Sequence, residues 1–426
     1  MNTVAVLKLT LHHGVVGYLA GFQSGKNILV FTDSFRFDQQ RETLSLLTSP
    51  LYPQADKVLE KTYVTHQRLH PLLSNLLPEG ALRELIAQIH IDNEFQLLAT
   101  LGHDLPGALI ATPLDPEEIP DEIKFKLQIS NPDQILKQEI QTDNKFSLAG
   151  VQMKFSMKAK DGRFTLAQAT ESSLLGDWII KTPSSRHAFV PLNEYSMMTL
   201  AKMVGIDVPE IRLVDMALLQ DLPPLNLPQE QYAFAIKRFD RQNTANTTEL
   251  IHIEDFAQIF GAYPHQKYST TNYEQIGKII YQFSDNKIFD IQQFASRLLI
   301  NILLANGDAH LKNWSMIYQD KRTPRLSPAY DILMTSVYIE NERHFALNLA
   351  KNKDWYLAEM KHFEQWAKKV GVPWRVIEKQ LHEIMDKARS VWPALLLDLP
   401  MGSAHKEKLR EHWQKLHPNF QILAND

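Results

Sequence analysis

Cysteine is absent from the 426 residues of the sequence, which excludes disulfide bonds and thiolate metal sites. This absence fits a reducing compartment, and we expect the protein to be cytoplasmic. An excess of basic residues is also missing. The formal net charge is -4, which argues against a broad basic surface that binds nucleic acid without a partner protein.

Long apolar runs are missing as well. The most apolar run, 298–305, contains Asn301 and is shorter than the ~18 residues that a membrane span requires. The first residues, MNTVAVLKLT, lack a basic region followed by an apolar stretch, so we expect no signal peptide. These features predict a soluble protein without membrane contact, and the length predicts two or three domains.

The chain divides into three predicted parts. Near the start, Ala5, Leu7, Leu9 and Leu11 alternate with mostly polar residues, which is typical of a strand in a small antiparallel sheet. Prolines are frequent over residues 105–123 and predict a linker. We therefore expect a β-rich domain (1–110), a second part (123–240) and a helical third part (241–426).

Four elements are predicted around the centre of the chain. Residues 178–181 form a strand that ends in Lys181, and Asn193 caps a helix beginning at Glu194. A further strand covers 231–240. Asp290 caps a helix whose apolar residues recur every three or four positions, as in a helix buried in a domain core.

Polar residues follow the end of this last helix at Asn306-Gly307. Asp308 and Asn313 are five residues apart. In phosphoryl transfer, an Asp accepts the proton of the attacking hydroxyl group, and an Asn five residues later binds a magnesium ion. Asp331, which follows a predicted hairpin, is placed to be the second metal ligand. Carboxylate and amide oxygens suit magnesium bound through nucleotide phosphates.

Plainer interpretations compete at each of these positions. Asn306–Asp308 can be a helix-ending turn, and Asp331 an unrelated capping residue. Lys181 can extend from a strand end to water, instead of pairing with Glu194 and binding phosphate. His310 favours a structural role in the loop over that of a base or metal ligand. Lys312 is either solvated or in contact with the transferred phosphate.

Several segments together resemble one known family, the HipA-type serine/threonine kinases, which are toxins of bacterial toxin–antitoxin pairs. The segments match in order along nearly the whole chain. Their sequences are NLLPEG (75–80), SLAGVQMK (147–154), WIIKTP (178–183), NEY (193–195), AIKRFDR (235–241), NGDAHLKN (306–313) and PAYD (328–331).

This resemblance implies a mixed α/β (α+β) fold: a protein-kinase-like core with a small N-terminal β-rich domain and an all-helical C-terminal part. It implies ATP and Mg2+ as cofactors, Asp308 as the catalytic residue, Asn313 and Asp331 as metal ligands, and Glu194 as a supporting residue. Ser147 would be autophosphorylated. The implied ATP-binding residues are Ala149, Gly150, Val151, Gln152, Met153, Lys154, Lys181, Lys237, Arg238, Phe239, His310, Leu311, Lys312, Asn313, Tyr330 and Asp331.

Within this set, the backbone of Ala149 to Lys154 would cradle phosphate and Lys237 to Phe239 would line the adenine. Met153 departs from the family pattern, in which an acidic residue is expected there. The implied partners are a HipB-type helix-turn-helix antitoxin, operator DNA contacted mainly through that antitoxin, and a protein substrate such as an aminoacyl-tRNA synthetase. Two alternatives remain open: a phosphotransferase for small molecules, and an inactive pseudokinase that acts as a corepressor.

Overall fold

The computed structural model describes residues 4–79, 93–129, 135, 152–166, 175–223, 227–243 and 247–422. The described strands are Val4–Leu11, Gly14–Phe22, Lys26–Phe31, Tyr63–His66, Leu109–Pro113, Lys154–Lys160, Arg163–Leu166, Trp178–Lys181, Ile211–Asp215, Leu219–Gln220, Tyr232–Lys237, Arg241–Asn243, Thr248–Leu250, His252–Asp255, Ser315–Tyr318, Arg325–Leu326, His344–Leu349 and Asn352–Asp354. The described α-helices are Asp33–Phe37, Ala55–Glu60, Pro71–Ser74, Glu94–Leu101, Asp121–Lys126, Val190–Met203, Phe256–Ile259, Tyr273–Phe283, Lys287–Leu303, Met360–Val370, Trp374–Asp398 and Ser403–Lys415.

The N-terminal sheet has five antiparallel strands, and the strand Val4–Leu11 lies between Gly14–Phe22 and Leu109–Pro113. Both faces of this sheet are covered. Leu7 and Leu9 pack into one apolar cluster, and Val4 and Val6 pack into another. The prediction of an antiparallel sheet at the start of the chain is confirmed, but the face expected to be mostly polar is partly buried.

The predicted linker over 105–123 is wrong. Residues Leu109–Pro113 form an edge strand of the N-terminal sheet, and a short helix, Asp121–Lys126, follows. Pro113 is tolerated because it lies at the end of an edge strand, where the missing N–H interrupts no ladder. The predicted boundary at residue 110 therefore falls inside a strand of this sheet.

The second sheet has six strands, and Trp178–Lys181 lies between Lys154–Lys160 and Tyr232–Lys237. Lys154 and Phe234 are the register partners of Lys181 on its two neighbouring strands. The predicted strand over 231–240 is confirmed for residues 232–237. Lys181 thus ends a central strand of this sheet instead of an edge strand.

The helix that follows this strand begins earlier than predicted. It starts at Val190, after Phe189 in the left-handed region at φ 61°, so Asn193 does not cap it. The Asn193 amide instead donates to the Met334 carbonyl at 3.0 Å and accepts from the Met334 N–H at 3.0 Å. Glu194 is consequently the fifth residue of the helix, just beyond its first turn.

The central helix of the C-terminal half is Lys287–Leu303, and it is capped by Asn286. The prediction that Asp290 caps it is wrong, because Asp290 is buried inside the helix and bound to Arg325 at 2.9 Å. Helices predominate from Met360 onward, but the part predicted to be helical (241–426) also contains strands, among them Ser315–Tyr318 and His344–Leu349. Within the described part of the chain, no helix is both long and apolar enough to cross a bilayer.

Candidate active site

The loop 306–313 begins where the central helix ends. Ala305 adopts a left-handed conformation at φ 50°, and the Asn306 N–H donates to the Asn301 carbonyl at 2.9 Å. The Asn306 side chain then fixes the next turn, since its Oδ1 accepts from the Asp308 N–H at 3.1 Å. The helix end and the position of Asp308 are therefore coupled through one buried amide.

Gly307 is required by close packing. A Cβ atom at this position would lie 2.4 Å from Oε1 of Glu342 and 3.0 Å from the His344 carbonyl. The Gly307 N–H donates to Oγ1 of Thr335 at 2.8 Å. The loop is thus held against the segment 335–344.

Asp308 and Asn313, the two residues that first indicated phosphoryl transfer, are brought together. Nδ2 of Asn313 donates to the Asp308 carbonyl at 2.7 Å. Among the described residues no donor reaches Oδ1 of Asn313, which leaves a neutral oxygen ligand. The Asp308 side chain is 43% exposed and accepts a hydrogen bond from the Tyr268 hydroxyl at 2.5 Å.

Asp331 lies at the centre of a charge cluster. Lys181 is bound to both Asp331 and Glu194, and Lys154 lies 3.4 Å from Oδ2 of Asp331. The side chains of Lys181 and Glu194 are almost fully buried, whereas that of Lys154 is 51% exposed. Two lysines and two carboxylates therefore balance in charge, and each oxygen of Asp331 has a lysine partner.

This cluster determines the protonation of its members. Burial alone would raise the pKa of Asp331, but Lys154 and Lys181 outweigh it and hold the pKa well below its usual range. Burial would lower the pKa of Lys181, but Asp331 and Glu194 together raise it above its ordinary value. Lys181 is therefore positively charged and Asp331 negatively charged at neutral pH.

The remaining predicted residues of the catalytic loop have structural partners. His310 is buried, its Nε2 lies 4.0 Å from Oδ2 of Asp308, and burial lowers its pKa to about 4. Leu311 is buried in the main core. The Lys312 ammonium lies 2.5 Å from Oε1 of Glu79 and donates to the Asn75 carbonyl at 2.9 Å, so it bridges to the N-terminal domain.

The segment 237–239, predicted to line the adenine, has three different environments. Lys237 is exposed, while Arg238 is buried and bound to Asp240 at 2.8 Å and Asp104 at 2.9 Å. The ring of Phe239 lies 5.7 Å from that of Tyr330. The Arg238 side chain is thus committed to the contact with the N-terminal domain, and adenine binding by this segment stays a prediction.

Part of the predicted phosphate loop lies outside the described residues. Ser147, Ala149, Gly150 and Val151 belong to that part, so their roles stay predictions. The described Met153 is buried in the apolar cluster beneath the six-stranded sheet, and its carbonyl accepts from the Thr182 N–H at 3.0 Å. Its departure from the family pattern is therefore accommodated in the core.

The oxygen atoms of Asn313 and Asp331 are ligands of the kind that magnesium bound through nucleotide phosphates prefers. Asn313, Tyr330 and Asp331 line one small cavity of about 10 Å³. Nδ1 of His310 and Nε2 of Gln152 are buried polar atoms without a hydrogen-bond partner among the described residues. Among the described residues, no three His, Asp or Glu side chains form a cluster that could hold a metal ion alone. Magnesium commonly takes several of its ligands from water and phosphate.

Sequence reasoning missed two residues of the site. Tyr268 binds Asp308 from a segment 40 positions earlier, and Glu79 binds Lys312 from the N-terminal domain. Neither residue has a spacing or periodicity that points to the loop. Only the segment NLLPEG (75–80) gave a signal, and it did not specify a contact.

Comparison with known proteins assigns the chain to a family. The HipA-like C-terminal domain matches residues 146–392, and the HipA N-terminal domain matches residues 7–112. A putative kinase of Sinorhizobium fredii is 36% identical, with 97% of each chain covered. The serine/threonine-protein kinase toxin HipA of Shewanella oneidensis is 25% identical, with 94% of this chain and 92% of that protein covered.

The fold is shared with a solved structure. The complex of HipA, HipB and operator DNA from Shewanella oneidensis contains a chain that superposes with a TM-score of 0.69 at 22% identity, covering 95% of this chain and 94% of that one. The fold is protein-kinase-like and of mixed α/β architecture, as predicted. The chain belongs to the HipA family.

Proposed function

We propose that the protein is a serine/threonine protein kinase of the HipA toxin type, which transfers the γ-phosphate of ATP to a protein hydroxyl group. One observation supports this proposal: a connected set of contacts links Asp308, Asn313, Asp331 and Lys181. Asn313 is hydrogen-bonded to Asp308 and shares a cavity with Asp331, and Asp331 is bound to Lys181. The same four residue types serve phosphoryl transfer in kinases.

Each residue then has a role. Asp308 accepts the proton of the acceptor hydroxyl at a carboxylate oxygen, since its side chain is partly exposed beside the loop. Lys181 and Lys154 would bind phosphate, and Asn313 and Asp331 would hold magnesium. When bound, ATP would supply the phosphoryl group and magnesium would neutralise charge on the phosphates. Glu194 would keep Lys181 in place when Asp331 serves as a metal ligand.

We further propose that Ser147 is autophosphorylated. A phosphate adds about -1.5 to -2 charges at pH 7, next to a loop that must itself bind the phosphates of ATP. The modification would therefore inactivate the kinase. The reaction fits an intermolecular route, because one loop cannot easily both cradle ATP and present its serine to Asp308.

The proposed partners follow from the family. A HipB-type helix-turn-helix antitoxin would bind the kinase and carry it to operator DNA, in line with the net charge of -4. The complex of the Shewanella oneidensis relative with HipB and operator DNA supports this assignment. A protein such as an aminoacyl-tRNA synthetase would be the substrate.

The alternatives make different predictions. A small-molecule phosphotransferase would be active without a protein acceptor. A pseudokinase that acts only as a corepressor has no need for the intact set of Asp308, Asn313, Asp331 and Lys181, so the described site favours an active enzyme.

The test is transfer of labelled phosphate from ATP to proteins of a bacterial lysate, with the labelled protein identified by mass spectrometry. Asp308→Asn keeps the side-chain shape and removes the proton acceptor, so transfer should fall by about a hundredfold to ten-thousandfold. Binding of magnesium–ATP, measured by calorimetry, should persist in this variant. Equal labelling by wild type and Asp308→Asn would refute the assignment of the base, and phosphate at Ser147 would be found in the same spectra.

A further inference from the structure

The candidate base Asp308 already has a hydroxyl partner. The Tyr268 hydroxyl donates to Oδ1 of Asp308 at 2.5 Å, a short hydrogen bond from an O–H group to a carboxylate. A serine or threonine acceptor must make the same type of bond before it transfers its proton. The phenol therefore occupies a hydrogen-bonding position that an acceptor needs.

The Tyr268 ring packs against neighbouring side chains, but part of the residue is exposed to solvent. Its ring contacts His310 edge-on at 5.0 Å, and the Lys267 ammonium lies 5.6 Å from the ring centre. Even so, 44% of the residue is exposed. Burial of the phenol and the nearby Asp308 carboxylate raise the pKa of Tyr268, so it remains a donor at neutral pH. Such a residue can swing outward without opening the core.

An open groove adjoins this contact. It has a volume of about 570 Å³ and is lined by Tyr268, Gly307 and residues of the segment 339–346. Among these residues, Ile339 is 51% exposed and Phe345 is buried. The groove thus leads from solvent to the loop that carries Asp308, on a path that passes Tyr268.

We propose that Tyr268 is a gate over the acceptor position: its hydroxyl holds the place on Asp308 that an incoming hydroxyl group or water molecule must take. This inference rests on the proposed kinase function. The acceptor segment enters through the groove, displaces the phenol and makes its own hydrogen bond to Asp308. While the gate is closed, Oδ1 of Asp308 is occupied by the phenol and cannot accept the proton of a water molecule, which limits wasteful hydrolysis of ATP.

Hydrolysis provides a test that requires no knowledge of the protein substrate. In this reaction the water oxygen bonds to the γ-phosphorus, the bond from that phosphorus to the ADP oxygen breaks, and Asp308 takes the water proton. Tyr268→Phe keeps the ring and its contacts but removes the hydroxyl, so water gains access to Oδ1. Loss of one hydrogen bond to a charged group should raise acceptor-independent hydrolysis roughly ten- to a hundredfold.

The measurement uses the full chain with ATP and magnesium, and follows release of inorganic phosphate. Calorimetry should give an unchanged affinity for magnesium–ATP. Tyr281→Phe is the matched control, since Tyr281 lies near the C-terminal end of the helix Tyr273–Phe283 with its ring beside Lys287, and its hydrolysis rate should equal that of wild type. Adding Asp308→Asn to Tyr268→Phe should abolish the gain.

Two results would overturn the gate. An unchanged or lower rate in Tyr268→Phe, with unchanged nucleotide affinity, would assign Tyr268 to orienting Asp308 instead. Phosphate on Tyr268 itself after incubation with ATP would make the phenol an acceptor. Failure of the kinase function looks different: wild type and Asp308→Asn would then release phosphate equally, whatever the state of Tyr268.

Discussion

At the scale of single residues, Lys181 is the best-defined part of the site. It lies between the carboxylates of Glu194 and Asp331, with only 5% of its side chain exposed. A buried ion pair contributes little net stability, but removal of one member leaves the remaining charge uncompensated. In this cluster the loss of Lys181 would leave the carboxylates of Glu194 and Asp331 facing each other.

Lys181→Met should therefore destabilise the protein as well as abolish phosphoryl transfer. We expect a loss of roughly 3–5 kcal/mol in the free energy of unfolding at pH 8. In the variant the two carboxylates repel, so their pKa values rise and protonation at lower pH restores part of the stability. Denaturant titrations of wild type and variant at pH 8 and pH 5.5 should show the deficit shrinking on acidification.

Lys154→Met is the matched control for this prediction. Lys154 contacts only one of the two carboxylates, at 3.4 Å, and its side chain is 51% exposed. Exposed ion pairs contribute about 0–1 kcal/mol, so its loss should alter stability little. A Lys181→Met protein as stable as the Lys154→Met protein at pH 8 would contradict the buried cluster.

At the scale of elements, the catalytic loop depends on a contact from outside the kinase core. Glu79 accepts hydrogen bonds from Lys267 at 2.9 Å and lies 2.5 Å from the Lys312 ammonium. In the sequence, Lys267 directly precedes Tyr268, and Lys312 directly precedes Asn313. The N-terminal domain thus holds both sides of the site through one carboxylate.

Glu79→Gln should lower kcat about three- to tenfold with little change in the KM for ATP, because it weakens one partly buried charge cluster that positions the loop. Steady-state kinetics of phosphoryl transfer would measure both parameters. Glu117→Gln, a change at an exposed acid of the same half of the chain, should leave both unchanged. A Glu79→Gln enzyme altered only in its KM for ATP would show that Glu79 acts on the nucleotide instead.

Sequence patterns predicted single elements well and contacts between distant elements poorly. The strand Trp178–Lys181 was predicted with these limits, because a short apolar run ends there at a charged residue. Asn193 and Asp290 were misread as caps, because a residue suited to capping can instead be buried with a partner far along the chain. The contacts of Tyr268 and Glu79 depend on tertiary packing, which local spacing does not encode.

At the scale of the whole molecule, a buried polar interface joins the N-terminal domain to the kinase core. Asp104 binds both Arg238 at 2.9 Å and Arg241 at 2.8 Å. Nε2 of His252 lies 2.7 Å from the Leu44 carbonyl, and its Nδ1 accepts from the Ala108 N–H at 3.3 Å. These partners require a neutral imidazole, since protonation of Nδ1 would set two N–H groups against each other.

Burial lowers the pKa of His252 to about 4. The unfolded chain, with an ordinary pKa near 6.5, binds a proton first as the pH falls, so this contribution to stability is present above pH 6.5 and is lost between about 6.5 and 4. At pH 5 the loss amounts to about 2 kcal/mol. His252→Gln can make both hydrogen bonds without titrating, so its free energy of unfolding should fall less than that of wild type between pH 7.5 and pH 5.

Denaturant titration at each pH measures this difference. His13→Gln, a change at an exposed histidine, should follow the wild-type pH profile. Parallel profiles for wild type and His252→Gln would mean that His252 is solvated and protonated in the folded protein.

The shared carboxylates of this interface bear on recombination between relatives. Asp104 and Glu79 belong to the N-terminal domain, while the cations that they neutralise, Arg238, Arg241, Lys267 and Lys312, belong to the kinase core. A chimaera that joins the N-terminal domain of one family member to the core of another should be functional only if these carboxylates and the cations that pair with them are both retained. We therefore expect the two domains to be inherited together, although each has its own sheet and its own apolar core.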